Sequence, residues 1–190
     1  MTHNAEGTRT ALIDAAKDLF HQQGFHRTTL AHVAASAQVP LGSIYYYFRS
    51  KEALAQAVIQ AHADDIRGRF VMWDELPDPR QRIKSLLASS AHYAGIFARY
   101  GCPYGTLAVE VDKGDDALVE PVGKLLMLYV DWITAQYEQL GAGEQAGALA
   151  MNFVATMQGA YLLANAFRNP DLLRNELDRL VASVDQWATV

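Results

Sequence analysis

Cysteine occurs once in the 190 residues, at Cys102. A single thiol excludes an intramolecular disulfide framework and fits a reducing cytoplasm. An apolar leader is also missing: Met1 is followed by Thr2, His3, Asn4, Ala5, Glu6 and Gly7, so export is not expected. The histidines, His3, His21, His26, His32, His62 and His92, form no close His-x-His or His-x-x-x-His pair, and none lies near the cysteine. That leaves no metal-type spacing, and neither a metal nor a cofactor is expected. There is no internal repeat, no low-complexity tract and no alternating strand pattern of useful length.

Basic charge is scarce too, with 16 Lys and Arg against 21 Asp and Glu and a net charge of −5. Such a balance argues against a nucleic-acid partner until it is divided along the chain. Residues 1–51 hold Arg9, Lys17, Arg27, Arg49 and Lys51 against Glu6, Asp14 and Asp18, a net +2, and the remainder carries −7. Contact with phosphate would therefore be confined to the N-terminal end, with the acidic body held away from it.

What the chain does contain is concentrated between Gly24 and Leu54, GFHRTTLAHVAASAQVPLGSIYYYFRSKEAL. Leu30, Val33, Ala34 and Ala37 fall on one face of a short helix that Thr28 or Thr29 is placed to cap. Gln38-Val39-Pro40 forms a turn. A second short helix begins near Leu41, where Ile44 and Phe48 share the face that locks onto the first. Gly42, Ser43, Tyr45, Tyr46 and Tyr47 are left outside that contact, followed at once by Arg49 and Lys51. Glycine allows close approach to phosphate, the hydroxyls donate to phosphate oxygens or base edges, and the rings pack on thymine methyls. Ser50 caps the next helix, whose first amides also face phosphate. The composition is that of a helix-turn-helix reading double-stranded DNA.

This segment, with Thr28-Thr29, Val39, Gly42-Ser43, Ile44-Tyr45, Tyr47-Phe48 and Lys51-Glu52, resembles the N-terminal domain of the TetR family of dimeric transcriptional repressors. The resemblance implies a DNA-binding domain over residues 1–50 and a helical ligand-binding and dimerisation domain over 51–190. It also implies binding to a palindromic operator, with release by a small-molecule effector. Two positions depart from the family pattern. Gln38 replaces a turn glycine, at a cost of up to about 1 kcal/mol if φ is positive there. Pro40 replaces a Ser or Thr cap, losing the cap while pre-setting φ.

The rest reads as helix after helix, an all-α chain of about nine. The first spans roughly Thr8 to Gln23, with Leu12, Ala15, Ala16, Leu19 and Phe20 inward and Gly24 as its stop. A long helix from Lys51 into the low seventies carries Leu54, Ala57, Val58 and Ala61. Asp78-Pro79 starts another, which Ile83, Leu86, Leu87, Ser90, Ala94 and Phe97 carry to Gly101. Cys102-Pro103 opens a short one through Val111. Asp115 opens one reaching Leu140. Residues 145–167 contain no charge, yet Gln145, Asn152, Thr156, Gln158 and Asn165 make them too polar for an isolated membrane span, so a helix buried on several sides is expected. The last helix, from Asn169-Pro170, presents Leu173, Leu177, Leu180, Val181, Val184 and Ala188 at helical spacing. With the helix before it, this stripe is expected to form a four-helix homodimer interface.

For the effector, Phe70, Trp73, His92, Tyr93, Phe97, Cys102, Tyr104, Met127, Asn152 and Met157, with Trp132 and Tyr161, are the candidate lining of an apolar pocket with few polar fixtures. For any one of them taken singly, ordinary core is the stronger account. Cys102 lies just before a helix, where the dipole favours thiolate. The Gly-Cys turn followed by Leu107-Ala108-Val109-Glu110 resembles the TetR subgroup answering quinones, flavonoids, acrylate-like molecules or electrophiles such as N-ethylmaleimide. Cys102, His92 and Glu110 also contain the elements of a nucleophile, base and orienting acid, but no local signature supports an enzyme. A DNA-binding architectural or activator protein without a small-molecule signal is the remaining alternative.

Overall fold

Short polar side chains set the helix starts. Thr29 accepts from the amide of His32, Ser50 from Ala53, Asp78 from Arg80 and Asn169 from Asp171, with Pro following at the first helical position in the last two. The computed structural model describes residues 2–111 and 116–186. It is helical, with α1 Thr2–Gln23, α2 Leu30–Ser36, α3 Leu41–Tyr47, α4 Lys51–Asp74, α5 Pro79–His92, α6 Ala94–Tyr100, α7 Pro103–Val111, α8 Asp116–Gln139, α9 Ala146–Phe167 and α10 Pro170–Asp185. A 3-10 turn, Gly143–Gln145, precedes α9.

These ten helices among the described residues exceed the expected nine because the helix expected from Pro79 to Gly101 is two. At Tyr93 the backbone sits at φ −92° and ψ 12°, outside the helical range, so one run ends and another begins. Gly101, at φ 82°, then stops α6. The first helix begins at Thr2 rather than Thr8. The expected starting residue Asp115 and the expected stripe residue Ala188 lie outside the described residues.

The chain packs as two units, Met1–Asp64 with Pro103–Leu125, and Asp65–Cys102 with Leu126–Val190. The start of α4 and all of α7 pack with the N-terminal helices. In the first unit Leu12, Ala16, Val33, Ile44, Leu54 and Val58 are fully buried. Phe20 and Phe25 meet edge to face at 5.3 Å.

In the second unit α10 packs on α5, α6 and α9. Leu173, Leu177, Leu180 and Val184 are the residues it buries there, and Val181 is half-buried. The stripe expected to form the dimer interface is therefore core of a single protomer. Helical spacing alone cannot distinguish an intrachain neighbour from a second copy. Of the last two helices, α9 leaves more large apolar side chains in solvent: Met151, Leu162, Leu163 and Phe167 are all at least half exposed, against Leu172 on α10. No helix among the described residues is long and apolar enough to cross a membrane.

Candidate nucleic-acid interface

α3 is held by two side chains. Ile44 and Phe48 are buried, and the amide of Phe48 donates to the carbonyl of Ile44 to close the helix. The opposite side stays in water. Tyr46 is 83% exposed, Tyr45 52% and Leu41 48%; Gly42 is exposed, and Ser43 and Tyr47 are half-buried. The rings of Tyr46 and Tyr47 meet edge to face at 5.1 Å. Large side chains exposed in a row like this mark a surface that meets a partner.

The turn into α3 is strained. Gln38 has φ 56°, the left-handed conformation usually given to glycine. Its amide still bonds the carbonyl of Ala35, and that of Val39 reaches Ala34, so the turn is held from both sides. Pro40 precedes α3 at φ −55° and ψ 135°, outside the helix rather than in its first turn, and no side chain caps α3.

Of the expected DNA contacts, Thr29, Leu41, Gly42, Tyr45, Tyr46 and Arg49 lie exposed. Thr28 does not: it is buried, its hydroxyl donating to the carbonyl of Gly24 at 2.8 Å and accepting from Gln23 Nε2 at 3.1 Å. It braces the corner between α1 and α2, which removes it from the phosphate-binding set. Lys51 is half-buried. Its ammonium donates to the carbonyls of Phe25 and His26 at 3.2 and 3.4 Å and lies 4.3 Å from the centre of the Phe25 ring. Beside it the Glu52 carboxyl is held below the usual carboxylate range, first by its own amide and then by the Ser50 hydroxyl.

Two features escaped the sequence. The exposed Arg9 guanidinium stands 5.3 Å from the centre of the Phe48 ring, adding a cation beside α3. Glu110 of α7 clasps the α1–α2 corner, its carboxylate accepting from the His26 amide at 3.1 Å and its carbonyl 2.9 Å from His26 Nε2. Gly24 makes room for that carboxylate; a Cβ there would lie 2.6 Å from Glu110 Oε1. These partners are 84 positions apart, and no local signal pairs them.

The expected effector residues are dispersed. In the second unit Phe70 stacks on Trp132 at 4.6 Å, with Trp73 and Tyr129 at its edges, and Trp132 Nε1 donates to Asp74. Separately, Phe97 meets Tyr161, whose hydroxyl donates to Ser90 at 2.8 Å, and Gln158 Nε2 lies 3.7 Å from the sulfur of the buried Cys102. Met157 is buried nearby on α9. His92, Tyr93, Met127 and Asn152 are exposed, which corrects their assignment to an interior lining. Their helices turn those positions outward, and composition could not show it. Tyr104 belongs to the first unit, edge to face with His62 at 5.1 Å. Glu110 is committed to His26, which leaves the enzymatic trio without its orienting acid.

Two short helices at a tight turn, the second braced by buried residues and exposing tyrosines beside arginines, define a helix-turn-helix DNA-binding protein. Residues 12–58 match the family model of bacterial regulatory proteins, tetR family. Residues 12–58 thus form a TetR-family DNA-binding domain, which supports a transcriptional regulator of that family. It is similar over most of its length to the HTH-type transcriptional repressor DhaR of Mycobacterium sp. (strain GP1), at 23% identity over 96% of this chain and 89% of that protein. A TetR transcriptional regulator from Chloroflexus aurantiacus J-10-FL has a similar structure, with TM-score 0.84, 26% identity and 97% of each chain covered. The reduced form of E. coli NemR gives TM-score 0.80 and 25% identity, covering 97% of this chain and 98% of that one.

Proposed function

We propose that this protein is a repressor that binds a palindromic operator as a homodimer and leaves it when a small apolar, aromatic or electrophilic effector enters the second unit. The observation that carries the reading is the exposed tyrosine row of α3, with Arg9 beside Phe48 at its end and the exposed Arg49 directly after it. Similarity to a relative named as a repressor over nearly the whole chain supports the regulatory sign. The charge-free helix α9, with Met151, Leu162, Leu163 and Phe167 outward, supplies the face that a second copy covers. The protein acts in the cytoplasm, on duplex DNA.

The effector binds the second unit, among the Phe97, Tyr161, Ser90, Gln158 and Cys102 side chains, where polar groups stand within an apolar surround. Release requires that it bind the free form better than the DNA-bound form, because equal affinity shifts nothing. The test selects bound duplexes from random DNA, then measures release by N-ethylmaleimide and by a panel of aromatic compounds in the wild type and Cys102→Ser. A two-fold symmetric site with half-sites about 34–36 Å apart is expected. Loss of the maleimide response in Cys102→Ser, with DNA binding retained, assigns the sensor to the thiol. Release by an aromatic compound in both proteins assigns it to reversible binding. A protein that binds its site but answers none of these compounds overturns the effector part and favours a regulator without a small-molecule signal.

A further inference from the structure

The reading helix lacks the side chains that read bases by paired hydrogen bonds. α3 is Leu41-Gly42-Ser43-Ile44-Tyr45-Tyr46-Tyr47, with no Arg, Lys, Asn, Gln, Asp or Glu. In the major groove Arg and Lys pair with guanine, Asn and Gln with adenine, and Asp and Glu accept from cytosine. None of these contacts can start from this helix.

The neighbouring polar groups are placed elsewhere. Lys51 gives its ammonium to the carbonyls of Phe25 and His26, and the Arg9 guanidinium lies over Phe48. Arg27 precedes α2, Arg49 follows α3, His32 is on α2 and Gln38 is in the turn. Arg9, beside Phe48, and Arg49, next in the chain, stand at the end of the helix rather than on it. What α3 itself offers is Leu41, 48% exposed at its first position, and the rings of Tyr45 and Tyr46. The one apolar feature of the major-groove edge is the C5 methyl of thymine. Leucine has no other partner there, and a tyrosine ring can cover a methyl while its hydroxyl bonds a phosphate.

We propose, on the DNA-binding reading above, that this protein recognises its half-sites through thymine methyl groups, with Leu41 as a specificity-determining residue and no obligatory guanine beneath α3. Sequence preference comes from apolar contact, and phosphate contacts contribute affinity without it.

The experiment selects binding sites from random duplex DNA with the full-length protein, then replaces each half-site thymine by uracil, one position at a time, deleting only the methyl group. Enriched half-sites carrying thymines, each replacement weakening binding about fourfold, are the expected result. Leu41→Ala should abolish the thymine-over-uracil preference at one position, and Leu41→Gln should move that position toward adenine. Leu41 is half exposed, so neither change disturbs the core. Half-sites with an invariant G·C pair whose preference disappears in Arg27→Ala, Gln38→Ala or Arg49→Ala, or thymine-to-uracil replacements without effect, overturn the inference and leave DNA binding intact. Failure to enrich any sequence overturns the DNA-binding reading itself, and this inference falls with it.

Discussion

Gln38 carries its side chain at φ 56°, where Cβ crowds the backbone. Replacing it by glycine should stabilise the protein by about 0.5–1 kcal/mol, the relief of strain being partly offset by the freer unfolded chain. The check is a higher denaturant midpoint at unchanged m-value; a lower midpoint would show that the turn tolerates glutamine without strain. This feature was legible residue by residue, because a departure from a glycine turn announces itself in the sequence. The brace that Thr28 makes with Gly24 and Gln23 was not. A threonine before a helix reads as a cap, and only the placement of its neighbour Thr29 at that cap leaves Thr28 inside.

Helices α9 and α10 show how much an amphipathic pattern leaves open at the scale of the element. α10 buries Leu177 at 2% exposure within its own protomer, whereas α9 leaves Leu162 at 68%. Leu177→Glu should therefore cost about 3–5 kcal/mol of protomer stability, since a carboxylate is forced into a packed apolar site. Leu162→Glu should leave the folded protomer intact and shift dimer to monomer. Thermal unfolding and sedimentation measured on both variants distinguish the two roles. A Leu162→Glu protein that stays dimeric at micromolar concentration would remove α9 from the interface.

Across the whole molecule, charge is divided unevenly, with +2 in residues 1–51 and −7 in the remainder, so on the DNA-binding reading the N-terminal end is expected to meet phosphate. Binding should weaken steeply as salt rises. Arg27→Ala with Arg49→Ala should shallow the slope of log affinity against log salt by about one for each phosphate left without its arginine. Titration of a selected site at several salt concentrations reads this directly. An unchanged slope would place both arginines away from phosphate.

The sequence by itself determined the helical class, the caps at Ser50 and Asp78, a threonine cap at Thr28 or Thr29, the start of the last helix at Asn169-Pro170, the α2–turn–α3 unit, and the inward role of Ile44 and Phe48. All of these follow from interactions within a few residues of one another, where spacing is geometry. Tertiary structure alone decided that Glu110 holds the corner at Gly24 and His26, that Lys51 is turned to Phe25, and that the α10 stripe belongs to the protomer core. It also decided that His92, Tyr93, Met127 and Asn152 face solvent while Cys102 is buried. An apolar stripe specifies that a face will be covered, and a carboxylate that it will find a donor. Which surface or donor it meets depends on segments far away in the chain, and only the folded arrangement brings those together.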